Sequence, residues 1–199
     1  MPDARRGRPR EFDTDAALEA AMQVFWKQGY EATSVGQLCD AMGIARQSMY
    51  DWVGDKRALF IASIDRYRQL WICGMRDMLS LEGSPLGNLR HCLHAMADYA
   101  KKPDCDGCLV TNTANEFGTG DEEIASLVGS IDEFIIDAFT QVLDRAKAEG
   151  EIPEGVDTRS TGAALAVLRN GMMVAGRSGQ SHESIDRTLD LIEALLKMG

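Results

Sequence analysis

A short polar segment, ARQSMYDW at residues 45–52, holds several side chains of the kinds that bind nucleic acid. Arg46 matches the major-groove edge of guanine and Gln47 that of adenine, in each case through two hydrogen bonds. Ser48 and Tyr50 carry hydroxyl groups that donate hydrogen bonds to phosphate oxygens. The same residues would also suit the solvated face of an ordinary helix, so the surrounding residues must decide between the two interpretations.

Residues that flank this segment could add contacts to phosphate groups. Arg8 belongs to an arm with four arginines within residues 5–10, which could follow the DNA backbone or enter a minor groove. Thr33 and Ser34 precede a predicted helix, whose N-terminal N–H groups and dipole attract phosphate. The candidate DNA-binding residues are Arg8, Thr33, Ser34, Arg46, Gln47, Ser48, Tyr50, Trp52 and Lys56.

The net charge of the chain is unevenly distributed. The 199 residues include 21 Lys and Arg and 31 Asp and Glu, which gives a formal charge of −10. Residues 1–57 hold eight basic and nine acidic residues, for a charge of −1, and the remaining residues hold 13 and 22, for −9. A uniformly acidic protein would be repelled by DNA. The nearly neutral front with its basic arm therefore favours DNA binding in that part of the chain.

Two of the five cysteines form a C-x-x-C pair, Cys105 and Cys108, just before a predicted helix. Three interpretations stay open. A thiol near a helix N-terminus can react with electrophiles or oxidants. His91, Cys92 or His94 could complete a metal site with the pair, although two correctly spaced cysteines are weak support for one. A cysteine can also simply fill a gap at the start of a helix.

The pattern of apolar residues predicts helices almost everywhere and no lasting strand. In one example, Val35, Leu38, Cys39 and Met42 recur at the spacing of one helix face. The predicted helices span about 14–29, 34–43, 46–53, 55–83, 87–101, 107–117, 121–149, 157–178 and 183–197. We therefore expect an all-α fold of about nine helices, with an arm and a helix-turn-helix in residues 1–54 and six helices in residues 55–199.

The helices of residues 55–199 are rich in methionine and aromatic residues, which suit an adaptable apolar pocket. An ordinary core uses the same residue types, so each single assignment is weak. The candidate ligand-binding residues are Trp71, Met75, Tyr99, Cys108, Asn112, Phe117, Phe134, Arg169, Met172 and Met173.

The segment from Gly7 to about Tyr67 resembles the N-terminal domain of the TetR family of bacterial transcriptional regulators. The resemblance rests on GRPREFD and FWKQGYEATSVGQLCDAMGIARQSMYDWVGDKRALF, where Gly29, Tyr30, Thr33, Ser34, Val35, Leu38, Gly43, Ile44, Tyr50, Lys56 and Leu59 stand at family positions. Ala45 departs from the usual Ser or Thr cap, and Asp51 and Trp52 replace a commoner pair, so an operator cannot be borrowed from relatives. The GCLV-N-A stretch from Gly107 to Ala114 resembles a subgroup in which a cysteine serves in some members as a sensor of reactive species.

The resemblance implies a sequence-specific regulator, which we expect to be a homodimeric repressor. In the family, the last two helices of each subunit build a four-helix dimer interface. The expected partners are double-stranded operator DNA, a second copy of the chain and a small apolar or electrophilic inducer, with no cofactor. A non-inducible regulator or activator is the alternative, and a C-x-x-C thiol oxidoreductase is weaker because no βαβ pattern surrounds the motif.

Two further expectations concern the class of protein and its location. No uncharged run exceeds nine residues, whereas a membrane-spanning helix needs about 20 apolar ones, so no membrane partner is expected. The N-terminal segment lacks the apolar stretch of a secretory signal, and the cysteine count is odd, which together favour reduced thiols in the cytoplasm. No nucleophile elbow, phosphate-binding loop or dinucleotide fingerprint is present, so we expect no enzyme.

Overall fold

A computed structural model of the chain describes residues 12–180 and 182–197. The helices are α1 (Thr14–Gln28), α2 (Val35–Met42), α3 (Arg46–Val53), a long α4, α5 (Pro85–Ala100), α6 (Leu109–Phe117), α7 (Glu122–Ala148), α8 (Thr158–Arg177) and α9 (His182–Lys197). The long α4 consists of the consecutive segments Lys56–Tyr67, Arg68–Ile72 and Cys73–Leu79. The described residues thus form nine helices and no strand, which confirms the predicted all-α fold.

Most helices begin where a short polar side chain accepts a hydrogen bond from a backbone N–H of the first turn. This bond satisfies one of the donors that a helix start leaves unpaired, and it fixes the first residue of the helix. The capping residues are Asp13, Ser34, Asp55, Ser84, Asp121 and Asp157. The exception that matters is α3, where Ala45 provides no side-chain cap, as the sequence indicated.

The first three helices pack around a small core that is closed by α4. Phe25 of α1, Leu38 of α2, Met49 of α3 and Phe60 of α4 are all buried to within 1% of complete burial. The rings of Phe25 and Phe60 meet edge to face, with their centroids 4.9 Å apart. Such packing holds the short α3 in place, because an isolated eight-residue helix is unstable in water.

The middle segment of α4, residues 68–72, is a π-helical turn. A π turn widens the helix by one residue and therefore changes which side chains face inward on either side of it. Tyr67 and Ile72 are buried at its two ends, whereas Leu70 and Trp71 between them are 40% and 49% exposed. Nothing in the apolar pattern of the sequence predicted this turn.

The rear helices pack α7 against α8, with α5 in contact with both. The closest approach is at Gly176 in α8, where a Cβ atom would lie 2.5 Å from the carbonyl oxygen of Ala100 and 2.9 Å from the sulfur of Cys105. Only glycine allows α8 to reach the end of α5 so closely. In the part of the chain that the structure describes, no helix is long and apolar enough to cross a membrane.

Candidate nucleic-acid interface and internal cavity

The outward face of α3 is polar and open to solvent. Arg46, Gln47 and Tyr50 are exposed, and Ser48 is half-buried. The Nε2 of Gln47 donates a hydrogen bond to Oδ1 of Asp51 over 2.8 Å, one helical turn away. This bond couples the orientation of the Gln47 amide to Asp51, whose carboxylate keeps its negative charge. Four of the candidate DNA-binding residues thus lie together at the N-terminal end of α3.

Two candidates behave differently from the sequence-based expectation. Thr33 is buried, and its hydroxyl donates a hydrogen bond to the carbonyl oxygen of Gly29 over 2.6 Å. The side chain closes the turn after α1 and does not face outward, so Thr33 is removed from the set. Trp52 is half-buried against the ring of Phe12, with centroids 5.3 Å apart in an edge-to-face arrangement. We correct its role to one of packing the chain before α1 onto α3.

The remaining candidates flank α3. Ser34 is exposed and forms a capping box with Gln37, in which each side chain bonds to the backbone N–H of the other residue. The Nζ of Lys56 lies 4.1 Å from the ring centroid of Tyr30, so its charge rests on an aromatic face at the start of α4. Arg8 lies outside the described residues.

The end of α1 is bound to the rear helices through two charged side chains. The Glu116 carboxylate of α6 accepts hydrogen bonds from the backbone N–H groups of Tyr30 and Glu31, over 2.9 Å and 2.7 Å. The guanidinium of Arg177, at the end of α8, donates to the carbonyl oxygens of Trp26 and Lys27 over 2.9 Å and 3.1 Å. A cation on the last carbonyls of a helix and an anion on the following N–H groups are both favourable.

The C-x-x-C loop is bonded to α1 as well. The indole N–H of Trp26 donates to the carbonyl oxygen of Gly107 over 3.1 Å, and Arg177 donates to that of Asp106 over 2.9 Å. Cys105 and Cys108, on either side of this contact, are buried free thiols. A displacement of this loop would therefore move groups that are hydrogen-bonded to the last turn of α1.

A cavity of about 480 Å³ lies beside the π turn of α4. Five of the candidate ligand-binding residues line it, namely Trp71, Met75, Tyr99, Arg169 and Met173. Sequence reasoning missed several others, including Trp26 of α1, Tyr67, Met78 and Met96. The apolar pattern of α1 could not identify Trp26 as a cavity residue, because its side chain projects away from the first three helices and packs among the rear ones.

The other candidates lie elsewhere. Phe117 stacks on Phe60 and tilts against Tyr30, with centroids 5.6 Å and 5.4 Å away, so it seals the junction with the first three helices. Asn112 donates to the carbonyl oxygen of Asp106 over 2.9 Å and faces a separate polar crevice.

Met172 is buried in the core, outside the cavity lining. Phe134 packs beneath the guanidinium of Arg76, 5.4 Å from its centroid. None of these four residues lines the cavity beside α4: Phe117, Met172 and Phe134 take part in packing, and Asn112 faces the separate crevice.

Cys108 lies next to a buried cation. The Nη2 of Arg169 donates to the sulfur of Cys108 over 3.3 Å, and Nη1 donates to Oδ1 of Asn170 over 2.8 Å. Burial by itself raises the pKa of the Cys108 thiol, but the charge of Arg169 and a hydrogen bond from Tyr67 outweigh it and lower the pKa below the ordinary value. Burial raises the pKa of the Cys92 thiol to about 12, because the charge of Arg169 offsets only part of that effect there. Cys108 is thus the thiol whose ionised form this interior favours.

The structure gives little support to a metal site at the C-x-x-C pair. Among the residues described, no group of three or more His, Cys, Asp or Glu side chains is arranged to hold a metal ion.

Comparison with known proteins gives matches at both ends of the chain. The family described as "Bacterial regulatory proteins, tetR family" matches residues 17–63, and the family described as "Tetracyclin repressor-like, C-terminal domain" matches residues 85–192. The chain is similar to the HTH-type transcriptional repressor ComR of Escherichia coli (strain K12), with 31% identity over 90% of this chain and 87% of ComR. It is similar to the uncharacterized HTH-type transcriptional regulator YezE of Bacillus subtilis (strain 168), with 35% identity over 76% of this chain and 78% of YezE.

A solved structure bound to DNA has a similar fold. It is a cysteine mutant of the TetR family transcriptional regulator CifR complexed with 26-bp double-strand operator DNA. The TM-score is 0.82 at 28% sequence identity, and the match covers 96% of this chain and 98% of that chain.

Replacing Glu116 with Ala is expected to loosen the junction at the end of α1. The change removes two charge-assisted hydrogen bonds at an exposed site, where water can replace them, so unfolding in urea should become easier by about 1 kcal/mol. Asn115→Ala, at the exposed neighbouring position of α6, is the matched control for the effect of a new alanine in the helix. Equal unfolding midpoints for the two variants would show that the Glu116 contacts do not stabilise the junction.

Proposed function

Because the chain belongs to the TetR family of bacterial regulatory proteins, we propose that it is a homodimeric repressor released from a palindromic operator by a small molecule or by thiol modification. It is a DNA-binding transcriptional regulator of the TetR type. The observation that supports DNA binding most directly is the exposed polar face of α3. The opposite side of this helix packs into the core through the buried side chain of Met49. We propose that residues 1–54 bind DNA and that residues 55–199 bind the ligand and the second subunit, in the cytoplasm, where the chromosome lies.

The proposed DNA contacts are Arg46, Gln47, Ser48 and Tyr50 to base edges and phosphates, with Ser34, Lys56 and Arg8 on the flanks. The first N–H groups of α3 have no side-chain cap, so they are free to bind a phosphate oxygen. Gln47 and Asp51 are hydrogen-bonded to each other, and we propose that they contact the operator as a pair. A carboxylate in this position can accept a hydrogen bond from cytosine, which suits a site with a G·C pair.

The proposed dimer uses one face of α8. Val167 and Val174 are 71% and 41% exposed, and Gly171 between them has open space above its Cα atom. These three residues follow one another at helical spacing, and Leu191 of α9 is 55% exposed. An apolar stripe of this kind on two neighbouring helices supports a four-helix interface with a second copy. A two-fold dimer would place its recognition helices about 34–36 Å apart, one turn of the duplex.

The route from the cavity to the DNA-binding helices is short. Trp26 of α1 and Trp71 of α4 both line the cavity, with ring centroids 5.6 Å apart. Both helices also form the core under α3, so a ligand that separates the two rings would tilt the recognition helix. Two distinct sites linked by one movable element are what an allosteric response requires.

Thiol modification is a second route to release, and the setting of Cys108 favours it. A covalent adduct on this buried sulfur would displace Arg169 and the loop at Gly107, to which Trp26 is bonded. The described elements around the C-x-x-C pair are helices, with no βαβ unit, so the structure gives no support to the alternative of a thiol oxidoreductase. A non-inducible regulator or an activator remains the alternative, and the release measurements below distinguish it.

Replacing Arg46 with Ala should weaken binding to duplexes selected from a random pool with the wild-type protein. The loss of a bidentate contact to guanine is expected to cost about 1–3 kcal/mol and to relax the preference at one base pair of each half-site. The measurement is fluorescence anisotropy at fixed salt, and Arg76→Ala, an exposed arginine of α4 outside the proposed DNA and dimer surfaces, is the control. An Arg46→Ala protein that keeps its affinity and base preference would remove Arg46 from the contact set.

Replacing Val167 with Asp should convert the protein from a pair of chains to a single chain. Burying a carboxylate in an apolar interface is costly, whereas the exposed position leaves the fold of one subunit intact. Light scattering after size-exclusion chromatography gives the mass. Leu81→Asp introduces the same charge at a similarly exposed apolar residue outside α8, and it should stay paired. Unchanged association of the Val167→Asp protein would rule out this face.

Replacing Cys108 with Ser should abolish the release of DNA by N-ethylmaleimide or hydrogen peroxide. The wild type should lose its duplex, and Cys73→Ser, which changes a half-buried cysteine of α4, should respond like the wild type. Dissociation is followed by the anisotropy of the labelled duplex. Full release from the Cys108→Ser protein would exclude this thiol as the sensor.

A further inference from the structure

The cavity beside α4 has a charge opposite to that of the whole chain. The protein carries a formal charge of −10, yet the cavity is lined by two cations, Arg169 and Lys102. Among the residues that the structure describes, neither Asp nor Glu lines it. A cavity that is positive within an acidic protein concentrates small anions and excludes small cations.

Arg169 forms the inner end of the cavity. Only 5% of its surface is exposed, and its guanidinium bonds to the neutral side chain of Asn170 and to the sulfur of Cys108. Within the described part of the chain, no ion pair joins Arg169 to a carboxylate. The charge of Asp132 acts on Arg169, but its carboxylate is hydrogen-bonded to Asn170 and not to the guanidinium. Burial raises the pKa of Asp132. The bonds to Asn170 and Cys108 use two of the five N–H donors of the guanidinium, so donors remain for an anion that enters the cavity.

The walls between Arg169 and the entrance are aromatic and apolar. The ring of Trp26 meets those of Tyr67 and Trp71 edge to face, at 4.9 Å and 5.6 Å between centroids. Trp71 and Lys102 are exposed as well as lining the cavity, so they lie at its entrance. The side chains of Met75 and Met96 add flexible apolar surface that adapts to a ligand of varied shape.

From this arrangement we infer that the cavity binds an apolar organic acid, an aryl or medium-chain aliphatic carboxylate, with its carboxylate on Arg169 and its apolar body against Trp26 and Trp71. The guanidinium offers two parallel N–H donors to a carboxylate, and a carboxylate bound there would neutralise the buried charge. The volume of about 480 Å³ lies within the usual range for small-molecule sites. The inference rests on the proposed function in taking this acid to be the inducer, but its binding can be measured without DNA.

The test uses the full-length protein alone, with isothermal titration calorimetry. The probes are 2-naphthoate and decanoate, each compared with its uncharged amide. Both carboxylates should bind the wild type at least about tenfold more tightly than their amides, because a hydrogen-bonded charge pair in a buried site is worth that much. In Arg169→Gln the preference should vanish, and Arg76→Gln, a half-exposed arginine of α4 outside the cavity lining, should retain it.

A second variant keeps the test decisive if Arg169→Gln fails to fold. Ala95 lines the cavity but is exposed, so Ala95→Glu should fold normally and place a negative charge beside the entrance. It should weaken both carboxylates and leave the amides unchanged. If neither carboxylate binds the wild type more tightly than its amide, or if Ala95→Glu affects both forms equally, the inference is overturned.

The DNA assay separates this inference from the proposed function. Carboxylates that bind with the expected preference but leave the duplex bound would uphold the ligand class and contradict induction through the cavity. Release of DNA by the amides as readily as by the carboxylates would uphold induction and overturn the ligand class.

Discussion

The end of α1 is hydrogen-bonded to a cation on one side and to an anion on the other. The attachment of the front helices to the rear helices depends on these contacts. Arg177 binds the last carbonyl groups of the helix, and Glu116 binds the N–H groups that follow it. Both side chains come from the rear helices, and both bind backbone groups, so the contacts depend on the path of the chain more than on particular side chains in α1. The three front helices are therefore attached to the rear ones at the point where α1 stops, and a shift of α6 or α8 moves that point.

Arg169, the one buried cation among the residues that the structure describes, lies between the C-x-x-C pair and the cavity. It has only neutral or sulfur partners among the described residues. Its charge favours the thiolate on one side and would favour a carboxylate on the other. The two proposed routes of release, through the thiol and through the cavity, thus act on the same guanidinium. Occupation of one side reduces the electrostatic demand on the other, so the two signals are not independent.

The sequence predicted the helices well because helix starts and stops are local. The helices α1, α2 and α4 begin within one residue of the predicted starts at 14, 34 and 55, because Asp13, Ser34 and Asp55 cap them, and Gly29 and Gly43 follow α1 and α2. The exposed face of α3 could be predicted because its polar residues share one side of the helix, whereas Met49 is buried and Trp52 and Val53 pack against the core. The helix count and the all-α class followed from these local signals together.

The errors arose where a side chain makes a contact that the helical pattern does not indicate. Thr33 precedes a helix, as a phosphate-binding residue would, but its hydroxyl is used to close the preceding turn. Phe117 is an aromatic residue of the type that lines apolar pockets, but its ring packs against Tyr30 and Phe60 at the junction with the first three helices. Trp26 reaches Gly107, 81 positions further along the chain, and no periodic pattern within α1 could indicate that.

The π turn in α4 has a consequence for how the family could vary. It accommodates one residue more than a regular helix would need, and a regular helix advances about 100° per residue. A single deletion within residues 68–72 would therefore give an uninterrupted α-helix in which Met75 and Leu79 keep their present neighbours, because the turn already absorbs the extra residue. Natural relatives that lack the extra residue would keep the packing on both sides of the turn and differ only in the stretch that holds Leu70 and Trp71 at the cavity wall, so the length of this one segment is a simple means by which a regulator could exchange one chemical signal for another.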